Sequence, residues 1–138
     1  MTRIKYDFNH MKYMALFEKI TRTSLKDCII DENHITFIIN KDEIAKAVGK
    51  NGSKVKLLEK KLGKKIKIIK FDDDCVQFTQ NLIYPLNRIR IDKVEDKIII
   101  TGQDTKTKAL LIGRNSQNLR KLESIIKRFF NITEIKVK

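Results

Sequence analysis

At 138 residues the chain is long enough for one ordinary domain or two very small ones, and length alone does not choose between them. Thirty Lys and Arg against 17 Asp and Glu give a formal charge of +13 and a pI near 9.8, so the natural partners are polyanions, nucleic acid first among them. The hydrophobic content of 41% suffices for a packed core, and no apolar run approaches the roughly 20 residues that cross a membrane; Met1 to Asp7 lack the apolar stretch of a secretory signal, so a soluble, cytoplasmic protein with no membrane partner is expected.

Tyr13, Leu16, Phe17 and Ile20 recur at i, i+3, i+4 and i+7 and predict an amphipathic first helix, with Asp7 or Asn9 placed to cap its start. Cys28 to Ile30 and the alternating Ile35, Phe37 and Ile39 predict two strands joined by a hairpin turn at Asp31-Glu32-Asn33-His34. Ile44, Ala47 and Val48 fall on a short helix that Gly49 stops. A further helix opens at Gly52 or Ser53, buries Val55, Leu58 and Leu62, and ends at Gly63. Ile66 and Ile68, alternating with Lys65 and Lys67, predict a closing strand.

The acidic run Asp72-Asp73-Asp74 suits a helix N-terminus, where negative charge faces the positive end of the helix dipole. Cys75, Phe78 and Leu82 give that helix its apolar stripe, and Pro85, the one proline of the chain, closes it. Ile89 and Ile91 alternate with Arg88, Arg90 and Asp92 as a strand, and Ile98 to Thr101 form its neighbour across a turn at Glu95-Asp96-Lys97. From Ser116 onward Leu119, Leu122, Ile126 and Phe129, flanked by Ile125 and Phe130, predict the most strongly amphipathic helix; Ile135 and Val137 form the last strand.

These elements are one pattern used twice. Setting Gly49 over Gly113 aligns Lys50 with Arg114, Asn51 with Asn115, Val55 with Leu119, Lys56 with Arg120, Leu58 with Leu122 and Glu59 with Glu123. Each half then reads helix, two strands, helix, turn, helix, strand. No flexible linker separates the halves, and units of about 65 residues are marginal alone, so the two are expected to be held close.

The repeated turn carries the chemistry. Glycines between two helices leave backbone amides without helical partners, and the helix that follows adds partial positive charge at its N-terminus, an arrangement suited to phosphate. Gly49 and Gly52 permit backbone angles closed to other residues and are expected to let a nucleic-acid backbone come close. Lys50 and Lys54, and Arg114 in the second copy, add charge beside the phosphates, while Ser53 and Ser116 are available as N-caps. Ile44, Ala47, Val48 and Val55 are expected to line a narrow groove that admits single-stranded bases but not duplex. The corresponding set is Ile112, Gly113, Arg114, Asn115, Ser116, Asn118 and Leu119.

Catalysis is not expected. His10 and His34 are the two histidines and neither has a nucleophile partner; Asp72 to Asp74 make a better helix start than a metal site; Cys28 and Cys75 lack ligand spacing and read as buried free thiols. No cofactor, metal or small-molecule substrate is anticipated.

Gly49-Lys50-Asn51-Gly52 between helices, in this element order, resembles the KH domain in its prokaryotic topology. Ala15-Leu16-Phe17-Glu18, Asp27-Cys28-Ile29-Ile30-Asp31, Ala47 to Val55, Leu111-Ile112-Gly113-Arg114-Asn115 and Asn131-Ile132-Thr133-Glu134-Ile135 extend the resemblance, over nearly the whole chain, to the archaeal NusA-like transcription termination and antitermination factors. It implies an α+β fold of two tandem type II KH domains, residues 1–71 and 72–138, each a three-stranded sheet backed by three helices. It also implies a factor that binds single-stranded RNA in transcription elongation, termination or antitermination, with RNA polymerase as a candidate partner; the alternative is an assembly or processing factor on ribosomal RNA. Ser116 departs from the family's second glycine, which puts phosphate contact by the second turn in doubt. The resemblance does not extend to the polymerase-binding and OB-fold domains of bacterial NusA, so direct polymerase contact is not expected to carry over from that relative.

Overall fold

The computed structural model describes residues 8–32 and 34–138. The chain passes from one compact unit to the next between Asp72 and Asp73, and each unit is described by itself.

The first unit runs α1 (Phe8–Thr21), β1 (Leu25–Ile30), β2 (His34–Asn40), α2 (Ile44–Val48), α3 (Ser53–Leu62) and β3 (Lys65–Phe71). β1 pairs antiparallel with β2 through the tight connection in which the Asp31 amide donates to the His34 carbonyl at 2.8 Å. β3 lies parallel to β2 on its other side. A parallel neighbour requires a crossover, and α2 and α3 supply it, so the turn between them is placed by the sheet's own topology. Phe17, Cys28, Ile35, Phe37, Ile39, Ala47 and Leu58 are completely buried and form the core, with the rings of Phe17 and Phe37 stacked at 4.2 Å between centroids.

Three local expectations are corrected. Among the described residues α1 begins at Phe8, so Asn9 lies inside the helix rather than capping it; Asp7 is outside the described residues, as is Asn33 of the hairpin turn. His34 is the first residue of β2, not part of the turn. β2 does not alternate between core and solvent: Thr36 and Ile38 are buried as well as Ile35, Phe37 and Ile39. The segment Ile35 to Ile39, apolar and β-branched or aromatic apart from the polar but β-branched Thr36, suits a central strand buried on both faces.

The second unit repeats the plan with α4 (Cys75–Ile83), β4 (Ile89–Val94), β5 (Lys97–Gly102), α5 (Thr105–Ile112), α6 (Gln117–Lys127) and β6 (Glu134–Val137). β4 is antiparallel and β6 parallel to the central β5. Asp74 caps α4 by accepting from the Val76 amide at 3.2 Å, which is the use foreseen for the acidic run. Asp104 caps α5, accepting from the Thr107 amide at 2.7 Å; that bond, the Thr107 hydroxyl and the Arg88 guanidinium 3.6 Å away hold its carboxyl below the usual carboxylate range. Cys75, Phe78 and Leu82 are buried on α4, and both cysteines are free, buried thiols; burial pushes the Cys75 thiol up.

α6 ends earlier than its apolar stripe suggests. The helix stops at Lys127, and the amides of Phe129 and Phe130 both turn back to the Ile126 carbonyl, tightening the last turn so that both rings fold onto Phe78. An apolar contact needed after the helix is indistinguishable, by periodicity alone, from one more helical turn.

The repeat reaches the side chains. Glu59 Oε2 accepts from the Ile66 amide at 3.1 Å, and its counterpart Glu123 Oε2 accepts from the Ile135 amide at 3.0 Å. In each unit a helix carboxylate thus pins the start of the closing parallel strand. The sequence alignment used this pair only as a register mark. Replacing Glu59 by Ala strands a half-buried amide and is expected to lower the stability of the first unit by about 1.5–3 kcal/mol, the usual range for a hydrogen bond to a charged group. Glu59→Gln, which keeps an acceptor, is expected to recover much of that loss in urea unfolding followed by circular dichroism.

Candidate nucleic-acid interface

α2 is stopped by Gly49, whose amide donates to the Ala45 carbonyl at 3.0 Å while its backbone swings to φ 79°, ψ 170°. Lys50 to Gly52 then make a single 3₁₀ turn in which Asn51 (φ 55°, ψ 30°) and Gly52 (φ 71°, ψ 21°) are both left-handed, and α3 starts at Ser53. The second copy follows the same path through Gly113 (φ 72°, ψ 176°), Asn115 (φ 56°, ψ 31°) and Ser116 (φ 60°, ψ 22°). Asparagine is the non-glycine residue best suited to a left-handed position, which accounts for its presence at the same place in both turns.

The two glycines of the first turn do different work. A Cβ on Gly49 would lie 2.9 Å from Lys54 Cγ and 2.9 Å from Ser53 Oγ; on Gly113 it would lie 2.6 Å from Asn118 Cγ. The first glycine therefore makes room for the protein's own side chain. Gly52 has nothing within 4 Å of a built Cβ, so a residue that tolerates the left-handed region can replace it, as Ser116 does in the second turn.

Neither serine is an N-cap in the usual sense. Gly52 holds that position for α3, with Ser53 already in the helix; Ser116 holds it for α6 but makes no side-chain capping bond. A capping hydroxyl needs an extended backbone to reach the first-turn amides, and Ser116 is left-handed. Inside each turn the Gly52 amide is used by the Gly49 carbonyl and the Ser116 amide by the Gly113 carbonyl, both at 3.2 Å. Ser53 and Gln117 donate to the Lys50 and Arg114 carbonyls. Lys50 and Asn51, and Arg114 and Asn115, are the first two residues of their 3₁₀ turns, so the turns themselves give their amides no partner. Each turn thus presents two adjacent donors that it does not itself use at the head of a helix, which is an anion cradle.

Lys50, Asn51 and Ser53 are exposed around the first cradle, and Arg114 and Asn115 around the second. Ala47 is not on this surface: it is completely buried in the core and supports the turn from beneath. Ile44, Val48 and Val55 are half-buried beside the turn, as are Ile112 and Leu119 in the second unit. Lys54 is not mobile charge. Its ammonium donates to the Lys46 carbonyl at 2.8 Å and reaches the Thr21 carbonyl at 3.4 Å; in the second unit Asn118 Nδ2 donates to the Leu110 carbonyl at 2.9 Å. The clue available in the sequence was a side chain with a hydrogen-bond donor at the same offset, five residues after the first glycine of each turn. Among the described residues no group of three or more His, Cys, Asp or Glu side chains could hold a metal ion.

Two units that each fold as a three-stranded sheet backed by three helices, with a glycine turn joining the second helix to the third, define a tandem pair of KH domains. The KH domain family model matches residues 12–72, the body of the first unit. A Methanocaldococcus jannaschii protein named "Probable transcription termination protein NusA" is 30% identical over 140 residues, spanning 99% of this chain and 76% of its own length. A Thermoplasma acidophilum protein of the same name is 28% identical over 141 residues, spanning 100% of this chain and 98% of its own. The chain belongs to this archaeal NusA family. The crystal structure of APE1850 shares the fold, with a TM-score of 0.72 at 22% identity, covering 96% of this chain and 100% of that one.

Proposed function

We propose that this protein is a non-catalytic RNA-binding transcription factor that holds single-stranded nascent RNA at the two glycine turns and so acts on elongation, termination or antitermination. The observation that carries the reading is the cradle itself: two adjacent amides at a helix head to which the turn gives no partner, made twice with matching backbone angles, in a chain of charge +13. Phosphate oxygens satisfy such amides, and Lys50 and Arg114 supply charge beside them. The half-buried Ile44, Val48 and Val55 offer an apolar flank against which unstacked bases can lie, a use KH domains make of single strands. The names of the archaeal relatives support the assignment to transcription. No described helix is long and apolar enough to cross a membrane, in keeping with work on RNA in the cytoplasm.

The test is binding of single-stranded RNA, single-stranded DNA and duplex RNA across a salt series. Single-stranded RNA is expected to bind best, with log K falling by about 0.7 per log unit of salt for each phosphate neutralised. Preference for duplex, or binding without salt dependence, refutes the reading. Co-purification decides the setting: RNA polymerase subunits are expected, whereas ribosomal subunits in their place assign the same RNA grip to ribosome assembly or processing.

A further inference from the structure

Lys54 and Asn118 stand at the same place in the two repeats. Each sends a side-chain donor back over the first glycine of its turn to a carbonyl three residues before that glycine, Lys46 at 2.8 Å and Leu110 at 2.9 Å. How tightly the chains cross is measured by the glycines beneath them, where a Cβ would fall 2.9 Å from Lys54 Cγ and 2.6 Å from Asn118 Cγ. One side chain is long and cationic, the other short and neutral. What they have in common is a donor in the right place, and a requirement for positive charge would not have accepted the second. Lys54 also reaches the carbonyl of Thr21, the last residue of α1, so its ammonium sits where two helix C-termini present carbonyls lacking intrahelical partners. Two of its three donors are thereby engaged by the protein's own carbonyls.

We infer that Lys54 is a positioning residue and not a phosphate ligand: it clasps the end of α2 to the start of α3 and thereby fixes the amides of Lys50 and Asn51, as Asn118 does for Arg114 and Asn115. The inference rests on the reading of the turn as the RNA site. It assigns the charge-dependent grip on phosphate to Lys50 and the pre-organisation of the cradle to Lys54. Without the clasp, the cost of ordering the turn is taken from binding.

The experiment compares Lys54→Ala, Lys54→Asn and Lys50→Gln in the full chain, using a single-stranded RNA of about 12 nucleotides at several salt concentrations, long enough to exceed the four nucleotides one KH turn clamps. Losing one net hydrogen bond from a pre-organised site is expected to weaken binding by up to about tenfold in Lys54→Ala, equally at every salt concentration. Lys54→Asn, which copies the second turn, is expected to restore affinity with an unchanged salt slope. Lys50→Gln is expected to reduce the slope by about one unit. Equal losses in both Lys54 variants, each with a slope reduced by about one, make Lys54 a phosphate ligand and overturn the inference; so does parent-like binding by Lys54→Ala.

Nitrogen-15 relaxation of the Gly49, Lys50 and Asn51 amides, recorded without RNA, separates this outcome from failure of the RNA reading. Added mobility in Lys54→Ala that Lys54→Asn removes supports the clasp even if the parent binds no RNA, and unchanged order parameters in both variants overturn it.

Discussion

Gly49→Ala is expected to destabilise the first KH domain by about 2–4 kcal/mol, while Gly52→Ala, three residues on in the same turn, costs only about 1 kcal/mol. Both glycines have positive φ, so a rule based on conformation alone predicts similar losses. The structure separates them. At φ 79°, ψ 170° Gly49 occupies a region essentially closed to residues with a side chain, which costs roughly 1–3 kcal/mol. Its new methyl would also meet the stem of Lys54 and the hydroxyl of Ser53 at 2.9 Å, so the clasp to Lys46 would give way and about 1 kcal/mol more would be lost. Gly52 is in the ordinary left-handed region with open space around it, and part of its strain is offset by the lower entropy of the unfolded chain. The second domain supplies the control, because it already carries Ser116 at the Gly52 position with nearly the same angles. Urea unfolding of the two variants by circular dichroism measures the difference; Gly52→Ala proving the costlier change would mean that the first glycine is not held by the side chain crossing it.

The contrast shows which parts of this molecule are legible in its sequence. Period-2 and period-3.6 patterns depend on neighbours along the chain, and they placed the helices, the strands and the repeat; Asp74 was recognisable as a cap because capping is local. Features that depend on where a side chain ends up in space were not legible. Lys54 reads as charge beside a phosphate, yet it spans back to Lys46 and Thr21, a destination set by how α1, α2 and α3 pack. Ala47 looks like a groove residue by its proximity to Gly49, but the helix turns it inward. Glu59 and Glu123 matched across the repeat because each must meet a strand amide, and nothing local announces that bond. Ser116 looked like a weakened site when judged by residue type. Judged by backbone, its turn differs from the first by only a few degrees at Asn115 and gives the same two amides no partner of its own. The expected inequality of the two turns therefore rests on the side chain that Ser116 carries where the first turn has Gly52, and not on the backbone of the cradle.

Because the cradles match, reversing charge at one of them is expected to have the largest effect on function. The double change Lys50→Asp with Asn51→Asp sets two carboxylates beside the amides proposed to meet phosphate, and it is expected to leave the fold in place: Lys50 is exposed, and aspartate, like asparagine, tolerates the left-handed backbone at position 51. On the proposal that one strand occupies both turns, the second contact adds through effective concentration, commonly 10²–10⁴ in affinity, so disabling one turn is expected to cost about 100-fold or more on a long single strand. On a strand of about four nucleotides, which fills one KH turn, the intact second turn still binds and the loss is expected to be about twofold. Arg114→Asp with Asn115→Asp is expected to give the same pattern, since Arg114 and Asn115 hold the corresponding positions with matching backbone angles. Fluorescence anisotropy with labelled RNAs of the two lengths reads both terms. A large loss on the long strand from the first double change alone means that the two turns are unequal despite their matching backbones and that the chemistry of Lys50 dominates. Parent-like affinity in a folded variant of the first turn would remove the turn from the RNA-binding surface altogether.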